Sequence, residues 1–160
     1  MTLIQTITPK NSELYEMDFY AWTVQQAQLL RDGAWDSLDV LNLIEEIESL
    51  GKQERQKLRN LLAILLAHLL KWEFQPSHRS NSWIGTIREQ RRRIIELIED
   101  NPSLKPYLLE AKEKAYLDGL DLAVQETSLN YKVFPSECPY ELEKVLNFKF
   151  FPGEESDILD

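Results

Sequence analysis

Along this chain, apolar residues return every three or four positions, in blocks separated by short polar breaks. Phe19, Trp22, Gln26 and Leu29–Leu30 recur at helical spacing, with Asp18 as an N-cap and "RDG" at 31–33 as the stop. The pattern predicts a second helix from about Asp36 to Leu50, with Val40, Leu43, Ile44, Ile47 and Leu50 on its apolar face. Gly51 should break or bend the chain there. A third helix is expected from Ser49 or Lys52 to Phe74, ended by Pro76. From Leu61 to Leu70 it is apolar on every side except at His68, as expected of a central helix packed all round.

After a loop, "QPSHRSNS", Ser82 is positioned to cap a fourth helix from Trp83 to about Asp100. A fifth runs from Ser103 or Leu104 to about Ser128, and a short last helix starts at Pro139 and ends before Phe148. The segment "VFPSECP" should be extended, with Val133 and Phe134 packing onto the bundle, and residues 151–160 form an acidic, mobile tail. Trp22, Trp35, Trp72 and Trp83 sit where core anchors belong. The expected fold is all-α: a single-domain bundle over residues 1–150, with five main helices around the apolar third and a short C-terminal helix.

Composition agrees with this picture. The chain has 160 residues, 43% hydrophobic and 28% charged, with only five glycines, which suits one globular helical domain. One cysteine, Cys138, cannot close an internal disulfide, so a reducing, cytoplasmic setting is expected. The N-terminal segment lacks the basic and apolar regions of a signal peptide, and no apolar run is long enough to span a membrane.

Charge changes the picture further. Residues 1–51 hold two basic and nine acidic groups, a net −7; residues 52–93 hold ten and three, a net +7; residues 94–160 hold six and fifteen, a net −9. The total of −9 opposes non-specific nucleic-acid binding, and the basic block is better used within the chain.

Within the fourth helix, Ile84, Ile87, Ile94, Ile95 and Ile98 share one face, and Arg91 falls in the middle of it with Arg88 at its edge. A buried arginine stays charged and must find a carboxylate or several carbonyls. The candidate carboxylates are Asp18 at the start of the first helix, Asp39 and Glu46 beside Leu43 and Leu50 on the second, with Glu48 at the other edge of that face, and Asp118 on a stripe with Leu104, Leu108, Ala111, Ala115 and Leu122. The residues therefore define a candidate network of Arg91 and Arg88 with these acids, and His68 as its neighbour. It reads either as a structural salt-bridge network or as acid–base equipment in a cleft.

Other chemistry has less behind it. Two histidines and one cysteine stand at no zinc spacing, so no metal or cofactor is expected, and "EEIE" at 45–48 reads as a solvated helix face, the alternative being a carboxylate Mg²⁺ or Mn²⁺ site of Asp39, Glu45, Glu46 and Glu48. No phosphate-binding loop, dinucleotide fingerprint or nucleophile elbow is present, and Cys138 reads as a cap of the short helix.

Four stretches, "LYEMDFYAWTVQQAQLLRDGAWDSLDVLNLIEEIESLG", "LLAHLLKWEFQP", "SWIGTIREQRR" and "FPSECPYELEKVL", in this order, resemble the bacterial, largely cyanobacterial, domain of unknown function 29 family. The resemblance runs from about Leu14 to Leu146. It implies a compact helical domain of bacterial origin and supplies no reaction. Its motifs include Asp18, Trp22, Asp39, Asn42, Glu45, Glu46, His68, Trp72 and the Arg88–Arg91 segment. The leading expectation for function is protein interaction, as a homo-oligomer or accessory subunit. A hydrolase or nuclease-like enzyme built on the His68–Arg91–carboxylate cluster, and nucleic-acid binding through the third and fourth helices, are the alternatives.

Overall fold

The structure, a computed structural model, describes residues 11–159. Most of the N-terminal segment searched for a leader, and Asp160 of the tail, lie outside the described residues. Those described form an all-α protein: α1 (Asn11–Met17), α2 (Phe19–Arg31), α3 (Val40–Phe74), α4 (Asn81–Asp100), α5 (Leu108–Thr127) and α6 (Leu142–Leu146), joined by short 3-10 turns. No helix among them is long and apolar enough to cross a membrane.

The largest departure from expectation is α3. The second and third predicted helices are one continuous helix of 35 residues. Gly51 does not break it, because one interior glycine costs only about 1 kcal/mol relative to alanine and the helix continues on both sides. The chain divides into two compact units between Lys52 and Gln53, inside this helix.

In the first unit, Asp18 caps α2 by accepting from the Ala21 N–H at 3.0 Å, as the sequence predicts. Gly33, at φ 65°, turns the chain after α2 in a left-handed conformation that a side chain would oppose. Trp22 and Gln26 are the buried residues of α2. Three rings cluster around them: Tyr15 lies 4.8 Å edge-on to Trp22, and Phe19 stacks on Trp22 at 5.7 Å. Trp35 is 64% exposed and is no core anchor.

In the second unit, Leu61–Leu70 is buried except for a half-buried Ile64. Each fully buried leucine contributes about 1.5–3 kcal/mol of transfer free energy. The helix α5 approaches α3 closely at Gly119, which shares a stripe with the buried Ala111 and Ala115. A Cβ on Gly119 would lie 2.9 Å from the Ala63 carbonyl oxygen, so only glycine fits there. The cap of α4 is Ser80, two residues before the expected Ser82, with its side chain accepting from Trp83 N–H. The fifth helix starts at Leu108 behind a 3-10 turn, Pro102–Tyr107, and the last is only Leu142–Leu146.

From Ser128 onward the chain is largely irregular and wraps this unit as a strap. Phe134, Tyr140, Val145 and Pro152 are its buried residues, whereas Val133 points outward. Phe151 packs on Trp72 at 5.0 Å, and the Glu154 carbonyl accepts from Arg79 Nη1 at 2.8 Å.

Candidate functional site

Each member of the predicted cluster has a defined position, and most have a bonding partner. Arg91 is completely buried, as the helical periodicity requires. Its partners are carbonyls of the strap, not carboxylates: Nε donates to Val145 O and Nη2 to Phe150 O, both at 2.8 Å. Its guanidinium also lies over the Phe151 ring, 5.5 Å from the centroid. Burial pulls its pKa down to about 10, so it remains a cation at neutral pH. Carbonyl dipoles, one in the last turn of α6 and one in the irregular backbone after it, are its substitute for a counter-charge. Arg88 is exposed.

His68 retains 9% of its surface. Its Nδ1–H donates to Ile64 O at 2.9 Å, one turn back in the same helix. Burial holds its pKa below the ordinary imidazole value, against the opposing effect of that hydrogen bond. Asp118, placed on the core stripe by sequence, is exposed; the buried stripe is Ala111, Ala115 and Gly119 with Lys112 and Tyr116 beside it, and Asp118 falls off its edge.

The remaining acids serve the first unit. Asp39 Oδ2 accepts from Trp22 Nε1 at 3.0 Å and from Asn42 Nδ2 at 2.7 Å, while its own N–H donates to Gln26 Oε1 at 2.9 Å. Glu46 Oε1 accepts from the Tyr15 hydroxyl at 2.6 Å, which pushes the Tyr15 pKa up to about 12. The postulated Arg91–carboxylate network is thus replaced by separate ties, each within its own unit.

A second set of buried polar residues escaped the sequence reading. Lys112 Nζ donates to Tyr140 O at 2.8 Å and pairs with Glu113 at 3.0 Å. The Tyr116 hydroxyl donates to Pro135 O at 2.6 Å, and the Tyr140 hydroxyl to Glu73 Oε2 at 2.5 Å. Together with Arg91, Lys112 and Tyr116 hold carbonyls of the strap, while the Tyr140 hydroxyl ties the strap itself to α3. Lys112 could have been found by the wheel that found Arg91, since it lies between Leu108 and Ala115 on the same face. Cys138 is half-buried with Sγ 3.6 Å from Tyr140 O, and burial raises its thiol pKa, opposite to what a nucleophile needs. It precedes α6 by several residues and does not cap it.

What the fold leaves unused is apolar. The side chains that tie the start of α3 to Trp22 and Tyr15 are Asp39, just before the helix, and Glu46, with Asn42 bonding Asp39. Val40, Ile44 and Ile47 lie nearly opposite them on the helix, at about 100° per residue. The polar face of this segment therefore takes the packing, and the apolar face predicted to be core is exposed. Leu41 is 81% exposed, Ile47 67% and Leu50 62%. The same stripe continues at Leu58, Leu62 and Leu65, where the second unit buries it completely. The basic run nearby is partly spent on its own helix: Arg93 pairs with Glu89 at 2.7 Å and Arg92 with Glu96 at 4.0 Å.

Fold and site define a class: an all-α protein in which Arg91, Lys112, Tyr116 and His68 bond backbone carbonyls, and in which an apolar helix face is exposed. The chain belongs to the family described as Domain of unknown function DUF29, whose model matches residues 14–151. No curated protein and no solved structure matches it.

Proposed function

We propose that this protein works by protein–protein interaction, through the apolar face of α3 between Val40 and Leu50. One observation carries the reading: a helical stripe of core composition is exposed while the polar side of the same helix is packed. Contiguous exposed apolar surface costs solubility and is typical of interaction sites. Acidic groups rim it, with Glu45 and Glu48 exposed beside the stripe, as expected of an interface with an apolar centre and polar rim.

The hydrolase or nuclease-like alternative gains no support from the cluster. Arg91 spends its hydrogen bonds on strap carbonyls and His68 on its own helix. The reading places the protein in a reducing compartment, consistent with its single thiol.

Labelling tests it. In a Cys138→Ser background, an Ile47→Cys thiol should react with maleimide at close to the free-thiol rate in dilute protein. Slow labelling at every concentration would mean that the chain itself covers the face, and the reading would fail.

A further inference from the structure

Two details of this face go beyond its being open. The seam Val40, Ile44, Ile47 and Gly51 follows i, i+4, i+7, i+11, and around Gly51 nothing lies within 4 Å of the place a Cβ would occupy. Along one flank of that seam the charge changes sign, Glu45 and Glu48 preceding Lys52, all three exposed.

We propose that the occupant of this face is a second copy of the chain, its α3 docked antiparallel about a two-fold axis near Ser49. This rests on the interaction reading and names its partner. In an antiparallel pair each flank meets the same flank of the other helix running the opposite way. Glu45 and Glu48 then face Lys52 of the second copy, and Lys52 faces the second copy's two glutamates. The same register sets Ile47 of one copy over Gly51 of the other, where a missing side chain lets the backbones approach. A parallel pair would bring this flank against the one carrying Leu43, Leu50 and Glu54, which offers Glu45 and Glu48 no cation to match. An unrelated basic helix would satisfy the glutamates and leave Lys52 facing like charge. An isologous contact of this kind closes at the dimer.

Sedimentation equilibrium on the full chain at low salt tests both partner and register. Wild type should show a monomer–dimer equilibrium. Glu45→Lys/Glu48→Lys makes the flank wholly cationic and Lys52→Glu makes it wholly anionic; each alone should dimerise about tenfold more weakly or worse. An equimolar mixture of the two should recover dimer to near the wild-type level, with helicity by circular dichroism unchanged throughout. A wild type that stays monomeric, flank variants that dimerise as well as wild type, or a mixture that stays monomeric would each overturn the proposal. The labelling of Ile47→Cys separates the two levels. Fast labelling in a protein that never dimerises rejects the second copy and leaves the open face; slow labelling in a monomer rejects the face itself.

Discussion

Arg91 shows how a buried cation can be held without a single acid, with Nε and Nη2 on carbonyls and Nη1 left without a hydrogen-bond partner among the described residues. Its neighbours are the carbonyls of Val145 and Phe150, in a strap with little regular structure to absorb them. Arg91→Met keeps much of the volume but leaves both oxygens without their donor, at about 1–3 kcal/mol for each unsatisfied group. Urea denaturation should register the loss, and hydrogen exchange should rise across residues 140–151 before it rises in α3. Uniform exchange with unchanged stability would show that Arg91 does not anchor the strap.

His68 makes a pH prediction. Burial, the largest effect, and nearby Lys71 lower its pKa, while the Ile64 carbonyl and Glu126 oppose them. An unfolded histidine titrates near about 6.5, so on acidification the unfolded state takes up the proton first. The His68 contribution to stability is then complete above about pH 6.5 and falls as pH drops from there toward the folded value. Denaturant midpoints measured from pH 7.5 downward should show this fall in wild type and lack it in His68→Gln; equal slopes would contradict it. At this scale the sequence disclosed that Arg91 and His68 are buried, because periodicity locates a face. It did not disclose their partners. A carbonyl acceptor depends on where irregular backbone runs, and residues 134–151 carry no periodicity to say so.

Helices were the most legible level, and their ends less so. Asp18, Gly33 and Pro76 mark boundaries through capping, positive φ and the missing donor of proline, all local effects. Gly51 was misleading because its propensity cost is small beside the packing of a helix that continues to Phe74. The two glycines on facing helices separate these effects. Gly51→Ala meets nothing within 4 Å of its own chain and, in protein dilute enough to be monomeric, should raise thermal stability by up to about 1 kcal/mol. Gly119→Ala would press a methyl to 2.9 Å from Ala63 O and should cost about 1–3 kcal/mol as α5 shifts outward. Melting temperatures of the two variants are expected to move in opposite directions. A destabilising Gly51→Ala would indicate a break in α3 after all.

For the whole molecule, the ambiguity lies in what an apolar stripe is for. Val40, Ile44, Ile47 and Leu50 have the spacing of a core face, and the same spacing serves a helix that meets a partner. Nothing in the one-dimensional pattern separates the two. The distinction came from Trp22 and Tyr15, whose N–H and O–H groups bond Asp39 and Glu46 and so turn the polar side of α3 inward. The acidic first block and basic second block follow the same logic, since their junction at Glu48–Lys52 falls beside the exposed seam.

The most direct measurement is the unfolding free energy of Ile47→Glu, taken in protein dilute enough to be monomeric. On an exposed face the substitution should change stability by no more than about 0.5 kcal/mol, as for surface sites generally. A loss of about 3 kcal/mol or more, the cost of forcing an unpaired charge into a core, would contradict the account.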